Sequence, residues 1–292
     1  MKDFNGRIAV VTGGGTGMGR ELVVQLAAEG AHVALCDVNV DAMAETAKLA
    51  AEAAPDGTRI TTHRCDVSDA EQMDRFRDEV VEQHGADHVN LVFNNAGIGG
   101  GGSFLNTTRA EWERTFGVCW GGVYNGCRSF VPLLVASSEG YLVNTSSVNG
   151  FWALLAPGIP HTAYSAAKFA VKGLSEALLE DFRLNAPHVK VAVVMPGHIG
   201  TDIAINTLLA HRETSPVDEG MARMFGEGFR DNAPVTAAQA ATVILDGVRN
   251  DEWRILVGDD ARALDEAVRA DPLAAYGPGG ISLTTLTATL GG

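Results

Sequence analysis

Residues 8–19 read Ile8-Ala9-Val10-Val11-Thr12-Gly13-Gly14-Gly15-Thr16-Gly17-Met18-Gly19. A short apolar, β-branched run bounded by glycine is the pattern of a buried strand. Directly behind it, Met18, Leu22, Val23 and Leu26 share one helical face, and Gly30 closes the helix. A strand, a glycine turn and a helix therefore follow one another within two dozen residues, and the same alternation continues down the chain. Further strands are expected at 32–37, 59–65, 89–93, 141–145, 189–195 and 254–257, the sixth halted by Pro196-Gly197. Helices are expected at 41–54, after Ser68, from 108 to about 136, from about 161 to 185, and after Thr236. Ser68-Asp69-Ala70-Glu71, Thr108-Arg109-Ala110-Glu111 and Thr236-Ala237-Ala238-Gln239 each have the spacing of a capping box. Strands separated by helices of this length read as βαβ units, which gives an α/β fold: one doubly wound parallel sheet of about seven strands with helices on both faces.

The chain has 292 residues, and neither an internal repeat nor an interdomain linker interrupts it. Residues 1–270 are expected to form a single domain, with 200–232 breaking the regular alternation and 271–292 forming a tail. That tail is rich in Gly and Thr beyond Gly277. The formal net charge of −14 opposes general binding to nucleic acid or anionic membranes, which attract basic surfaces. No apolar run approaches the roughly 18 residues of a membrane span. The segment before the first glycines is too short for a secretory core. Cys36, Cys65, Cys119 and Cys127 show neither CxxC nor zinc spacing, and His84 and His88 form one pair without further ligands, so no metal site is expected. Together these features favour a cytoplasmic protein with structural thiols.

Glycines between a strand and a helix let the backbone turn tightly and approach a pyrophosphate, while the helix N-terminus presents free N–H groups and a partial positive charge. That context points to a Rossmann-type dinucleotide site. Asp37 ends the second strand, 18 residues after Gly19, where a carboxylate can bond the adenosine ribose and repel a 2′-phosphate. The same position also suits a helix-capping Asp. No Lys or Arg directly follows Asp37 and Thr16 is not basic, which favours NAD over NADP.

Thr12-Gly13-x-x-x-Gly17-x-Gly19 resembles the glycine pattern of the short-chain dehydrogenase/reductase family, in its non-extended branch. Other motifs agree: Asp66-Val67 resembles the pair that holds adenine, and Asn94-Asn95-Ala96-Gly97 is similar to the family's NNAG motif. Tyr164-Ser165-Ala166-Ala167-Lys168 is similar to YxxxK, and Pro196-Gly197 with Ile199 and Thr201 to the stretch beside the nicotinamide. The resemblance spans about residues 5–258. It implies cofactor contacts from Gly13, Gly15, Thr16, Gly17, Met18, Gly19, Asp37, Asp66, Val67, Asn94, Ala96, Gly97, Tyr164, Lys168, Pro196, Gly197, Ile199 and Thr201. It also implies a small-molecule alcohol or ketone substrate, a dimer or tetramer of identical chains, and a substrate lid at about 200–232.

Tyr164 and Lys168 are four apart on an expected helix, so both project from one face. A phenol is a poor base near its ordinary pKa of about 10, and a nearby ammonium is expected to lower that value. Tyr164 could then exchange a proton with the substrate oxygen during hydride transfer. The family's catalytic serine aligns with Ser147, whose hydroxyl would polarise the substrate oxygen, and the adjacent Ser146 competes for that role. Cys119 stands where the family usually has an Asn that supports a proton relay. A thiol replaces an amide poorly, with Asn125 as a possible substitute and a buried helix residue as the plainer reading of Cys119. Phe151, Trp152, Leu154 and Leu155 are expected to roof the cleft together with Leu208, Leu209, Met221, Met224, Phe225 and Phe229 of the lid, which suggests a hydrophobic secondary alcohol or ketone. His161 and His198 fall near the same pocket. Cys119 also keeps open a catalytically weak NAD-binding regulator. A sugar-nucleotide epimerase or dehydratase is opposed by the glycine spacing, and the absence of a GxSxG elbow opposes an α/β-hydrolase.

Overall fold

The computed structural model describes residues 1–156, 159–211, 219–276 and 280–281. Its strands are β1 (Ile8–Thr12), β2 (His32–Asp37), β3 (Ile60–Arg64), β4 (Leu91–Asn94), β5 (Gly140–Thr145), β6 (Leu154–Ala156), β7 (Ile159–Pro160), β8 (Val189–Pro196), β9 (Ile199–Gly200), β10 (Val235–Thr236) and β11 (Arg254–Val257). Its helices are α1 (Gly17–Ala28), α2 (Val40–Ala53), α3 (Ala70–His84), α4 (Arg109–Phe116), α5 (Gly122–Ala136), α6 (Thr162–Asn185), α7 (Ile203–His211), α8 (Glu219–Asp231), α9 (Ala237–Arg249) and α10 (Asp259–Ala270).

Seven strands form one sheet in the order β11-β8-β5-β4-β1-β2-β3, and every pairing within it is parallel. The alternation of side chains across a strand explains how the sheet serves two cores. In β1, Ala9 and Val11 join α1 and α9 through Leu22, Leu26, Ile244 and Leu245. Ile8 and Val10 face the other way, towards Phe76 of α3, Phe130 of α5 and Val171 of α6. All of β1, β4 and β5 is buried, as strands covered on both faces must be. After β3 the chain crosses back over the sheet to β4, so the strand order reverses between β1 and β4, and the cleft opens at the carboxyl ends of the strands there.

Three local expectations are corrected. The helix after Ser68 is capped by Asp69, whose carboxylate accepts from the N–H groups of Glu71 and Gln72, while the Ser68 hydroxyl faces the other way, donating to Asp66 at 2.7 Å and accepting from Arg114 at 3.0 Å. The expected helix from 108 to 136 is two helices, α4 and α5, joined by a wide π turn over 117–121. This turn carries Cys119, and just beyond it Gly122 packs directly on Val67. Thr108 does cap α4 through the Glu111 N–H, and Thr236 makes a complete capping box with Gln239.

Trp152 is the third correction. It has no exposed surface and packs with Val148, Ala261 and Leu264, donating its indole N–H to the Ala275 carbonyl at 3.2 Å. Neither Phe151, Trp152 nor Leu154 lines the cleft; the hydrophobic effect turns this apolar segment inwards onto α10 instead. The side chain of Leu155 lies outside the described residues, as do those of Leu208, Leu209, Met221 and Phe225. Of the tail, residues 277–279 and 282–292 lie outside them too. Met224 is largely exposed, and Phe229 does reach the cleft. Among the described residues, no helix is long and apolar enough to cross a membrane.

Candidate active site

The cleft has a volume of about 1280 Å³ and runs from the end of β2 to the N-terminal turns of α6. Its middle is formed by the loop after β1. Gly13 adopts φ +66°, and a Cβ there would lie 2.8 Å from the Ala96 Cα, so this crossing of two loops excludes a side chain. Gly19 does not line the cleft. Its hydrogen faces the Gly13 carbonyl, and any Cβ would collide with that oxygen, so its role is to let α1 approach the loop. Gly15 is likewise held behind the cleft surface, with its N–H donated to Asp37 and its carbonyl accepting from Arg20 and Thr46.

Thr16, Gly17 and Met18 face the cleft at the start of α1. No side chain caps this helix and its first turn holds no acidic residue, so its free N–H groups and partial positive charge point into the cleft. A helix end left in that state fits a pyrophosphate. Asp37 lies at one end of the same loop. Its two carboxylate oxygens accept from the N–H groups of Gly15 and Asn39, both at 3.0 Å, which fixes the carboxylate against the loop. Val67 and Asp66 line the cleft beside it. Burial works to raise the Asp66 carboxyl, but hydrogen bonds from Ser68 and Arg114 outweigh burial and hold it below the usual range. The Arg114 bond measures 2.7 Å and puts a paired guanidinium in the cleft, a residue that no sequence motif marks.

The opposite end gathers Ser147, Tyr164 and Lys168 from separate elements. Ser147 follows β5 and caps a single turn at 148–150, accepting from the Asn149 N–H at 3.1 Å. The neighbouring Ser146 donates its hydroxyl to the Lys168 carbonyl at 2.7 Å, so it ties β5 to α6. Tyr164 and Lys168 lie one turn apart on α6, as expected, with Nζ 5.3 Å from the phenol ring centroid. Ala96 and Gly97 form the adjacent wall; Pro196, Gly197, Ile199 and Thr201 form the floor.

The ionisation of Tyr164 is opposite to the expectation. Burial pushes the phenol up, the Cys119 thiol adds to this, and hydrogen bonding with Ser147 pulls the other way. Lys168 does not reverse the balance. It is only 2% exposed, burial lowers its own pKa, and its ammonium is engaged with the Thr145 carbonyl at 2.9 Å. Tyr164 is therefore a protonated phenol at neutral pH.

Asn94 does not reach the cleft. It is buried behind the wall, donating to the Asn144 amide oxygen at 2.9 Å, while Asn95 takes the cleft position. Cys119 is fully buried and donates its thiol to the Ile98 carbonyl at 3.0 Å. Asn125 is not a substitute for the missing amide, because its side chain is spent on the Val67 carbonyl at 2.9 Å. Asp260, at the start of α10, was not legible as a site residue. It is buried against the floor, accepts from the His198 N–H at 2.7 Å, and keeps its Oδ1 without a partner. His198 donates Nε2–H to the Phe229 carbonyl at 2.7 Å and packs on that ring, which joins the floor to α8.

Residues 7–211 match the sequence pattern of the short chain dehydrogenase family. The chain is 37% identical over 269 residues to SadH of Mycobacterium tuberculosis, covering 92% of each. It is 30% identical over 252 residues to levodione reductase of Leifsonia aquatica, covering 83% of this chain and 89% of that one. Among solved structures, a short chain dehydrogenase/reductase from Burkholderia phymatum in complex with NAD superposes with a TM-score of 0.82 at 29% identity, covering 95% of this chain and 98% of that one.

Proposed function

The chain belongs to the short-chain dehydrogenase family, and from that premise we propose that it interconverts a hydrophobic secondary alcohol and its ketone, with NAD as hydride carrier and Tyr164 as general acid and base. The observation that carries this reading is the convergence of Ser147, Tyr164 and Lys168 at one end of a cleft whose middle is the uncapped N-terminus of α1. Gly13, Thr16, Gly17 and Met18 would hold the pyrophosphate, Asp37 the adenosine ribose, Asp66 and Val67 the adenine. Pro196, Gly197, Ile199 and Thr201 would line the nicotinamide. Bound there, the dinucleotide supplies or accepts the hydride.

The chain's own residues handle the proton and the oxygen. In the reducing direction, the protonated Tyr164 phenol gives its proton to the carbonyl oxygen as that oxygen gains charge. Ser147 donates a hydrogen bond to the same oxygen, a contact that strengthens as charge develops. Lys168 lies beside the phenol and favours the phenolate left behind. In the oxidising direction the same groups run in reverse. Ile98, Val148, Ile203 and Phe229 supply apolar surface around the reacting end, which supports a hydrophobic substrate. Asp37 with no cation directly after it supports NAD over NADP.

The test is NADH formation from NAD and a panel of secondary alcohols, from small hydroxy acids to steroids, with Tyr164→Phe in parallel. Turnover by the wild type, lost in Tyr164→Phe while NADH still binds, is the expected outcome; a variant that keeps most of its turnover refutes the mechanism. The Cys119 thiol in place of the family's Asn favours a second reading, an NAD-binding regulator. Silence across the panel with intact NADH binding is the result that selects it. Exposed Tyr124 and Val135 on α5 and Phe169 on α6 support the proposal that identical chains associate through these helices. Light scattering showing only monomer at micromolar concentration would overturn that.

A further inference from the structure

His161 is the residue through which the chain enters α6, and its side chain makes no capping bond to that helix. Its imidazole instead lies flat on the Tyr164 ring, with centroids 4.6 Å apart and planes inclined by 16°. The ring also lines the cleft. Its Nδ1 is buried and has no hydrogen-bond partner, whereas Nε2 is the accessible nitrogen. Burial pulls the imidazole down to about 4, so the ring is neutral and carries a single N–H. Nδ1 is left unpaired whether or not it carries the proton, so the helix end decides between the two forms. The partial positive charge at the start of α6 favours a lone pair on Nδ1. This places the proton on Nε2, as a donor on the other edge of the ring.

We propose that His161 is a specificity residue whose Nε2–H recognises a second oxygen on the carbon next to the reacting one. The substrate class is then an apolar vicinal diol, or the corresponding α-hydroxy ketone. Donors on rings whose centroids are 4.6 Å apart suit oxygens on neighbouring carbons better than oxygens on opposite sides of a molecule. Both rings line the cleft and the stack fixes their separation, so in this proposal the second oxygen is read as the first meets Tyr164 and Ser147. A site built around a donor also penalises a substrate that leaves the donor unpaired. This inference rests on the dehydrogenase reading above and narrows its substrate.

The experiment compares cyclohexane-1,2-diol with cyclohexanol, using NAD, in the wild type and in His161→Phe. Phenylalanine keeps a flat ring on Tyr164 and removes the N–H. The expected result is a fall of about tenfold in kcat/KM for the diol and less than a twofold change for cyclohexanol, the size of one neutral hydrogen bond. His161→Gln, which restores an N–H donor, should recover part of the loss. A readout independent of turnover comes from Tyr164→Phe protein: calorimetric affinity for the diol should weaken about tenfold when His161→Phe is added. Equal losses for both alcohols, or unchanged diol affinity in that background, overturn the proposal and reduce His161 to a packing partner. Oxidation of cyclohexanol in that case leaves the dehydrogenase reading intact. If the wild type oxidises neither these alcohols nor any of the panel above, both readings fall.

Discussion

Replacing Asp37 by Asn removes one charge and keeps one acceptor oxygen, which makes it a sharp test of how the cleft selects its dinucleotide. Asp37 is held by the N–H groups of Gly15 and Asn39, so the carboxylate is already aimed and does not have to be ordered on binding. A hydrogen bond to a charged group is worth ~1.5–3 kcal/mol and one to a neutral group ~0.5–1.5 kcal/mol. The variant should therefore bind NADH about tenfold more weakly. For NADPH the sign reverses. Like charges in contact repel by roughly 1–4 kcal/mol between bulk water and a protein surface, and the variant relieves that repulsion. NADPH affinity should rise about fivefold or more, so the preference for NADH should shrink by about fiftyfold or more. The assay is fluorescence titration with both reduced dinucleotides, accompanied by thermal unfolding to show that the loop survives. A wild type that binds the two equally, or a variant whose ratio stays within threefold of the wild type, would refute the reasoning.

Trp152→Phe should lower stability by about 1–2 kcal/mol, through the lost bond to the Ala275 carbonyl and some lost volume, and leave KM unchanged; a raised KM at unchanged stability would put Trp152 back in the substrate roof. His84 is buried, and burial lowers its imidazole from 6.5 to about 4, so between those values the unfolded chain takes up a proton that the folded one does not. Stability is thus lost as pH falls from about 6.5 to about 4, by about 3 kcal/mol from this residue. Denaturant midpoints across that range should fall less steeply in His84→Gln, and parallel curves would contradict the assignment. Cys119→Ala loses the thiol bond to the Ile98 carbonyl and should change kcat less than threefold. A hundredfold fall would place the thiol in the proton route.

Much of the site could be read because its determinants are local. Gly13 to Gly19 lie between one strand and the helix it feeds, so backbone approach and helix polarity follow from a dozen consecutive residues. Tyr164 and Lys168 share a face because they are four apart on one helix. Adjacent residues after a strand were harder. Ser146 and Ser147 differ in which way each hydroxyl turns, and that depends on α6, since Ser146 is taken by the Lys168 carbonyl. Asn94 and Asn95 differ in the same manner, one turned to Asn144 inside and the other to the cleft.

By itself the sequence determined the order of strands and helices, the glycine loop, and the pairing of tyrosine with lysine, since periodicity and short-range spacing dictate all of these. Only the tertiary structure decided whether Trp152 faces the cleft or α10, because that depends on Leu264 and Ala275 more than a hundred residues away. It also brought Asp260 and Arg114 to the cleft, and it laid His161 on Tyr164. The protonation of Tyr164 was decided at the same level. An ammonium four residues away is visible in the chain, but the desolvation that raises the phenol is contributed by the packed fold around both groups.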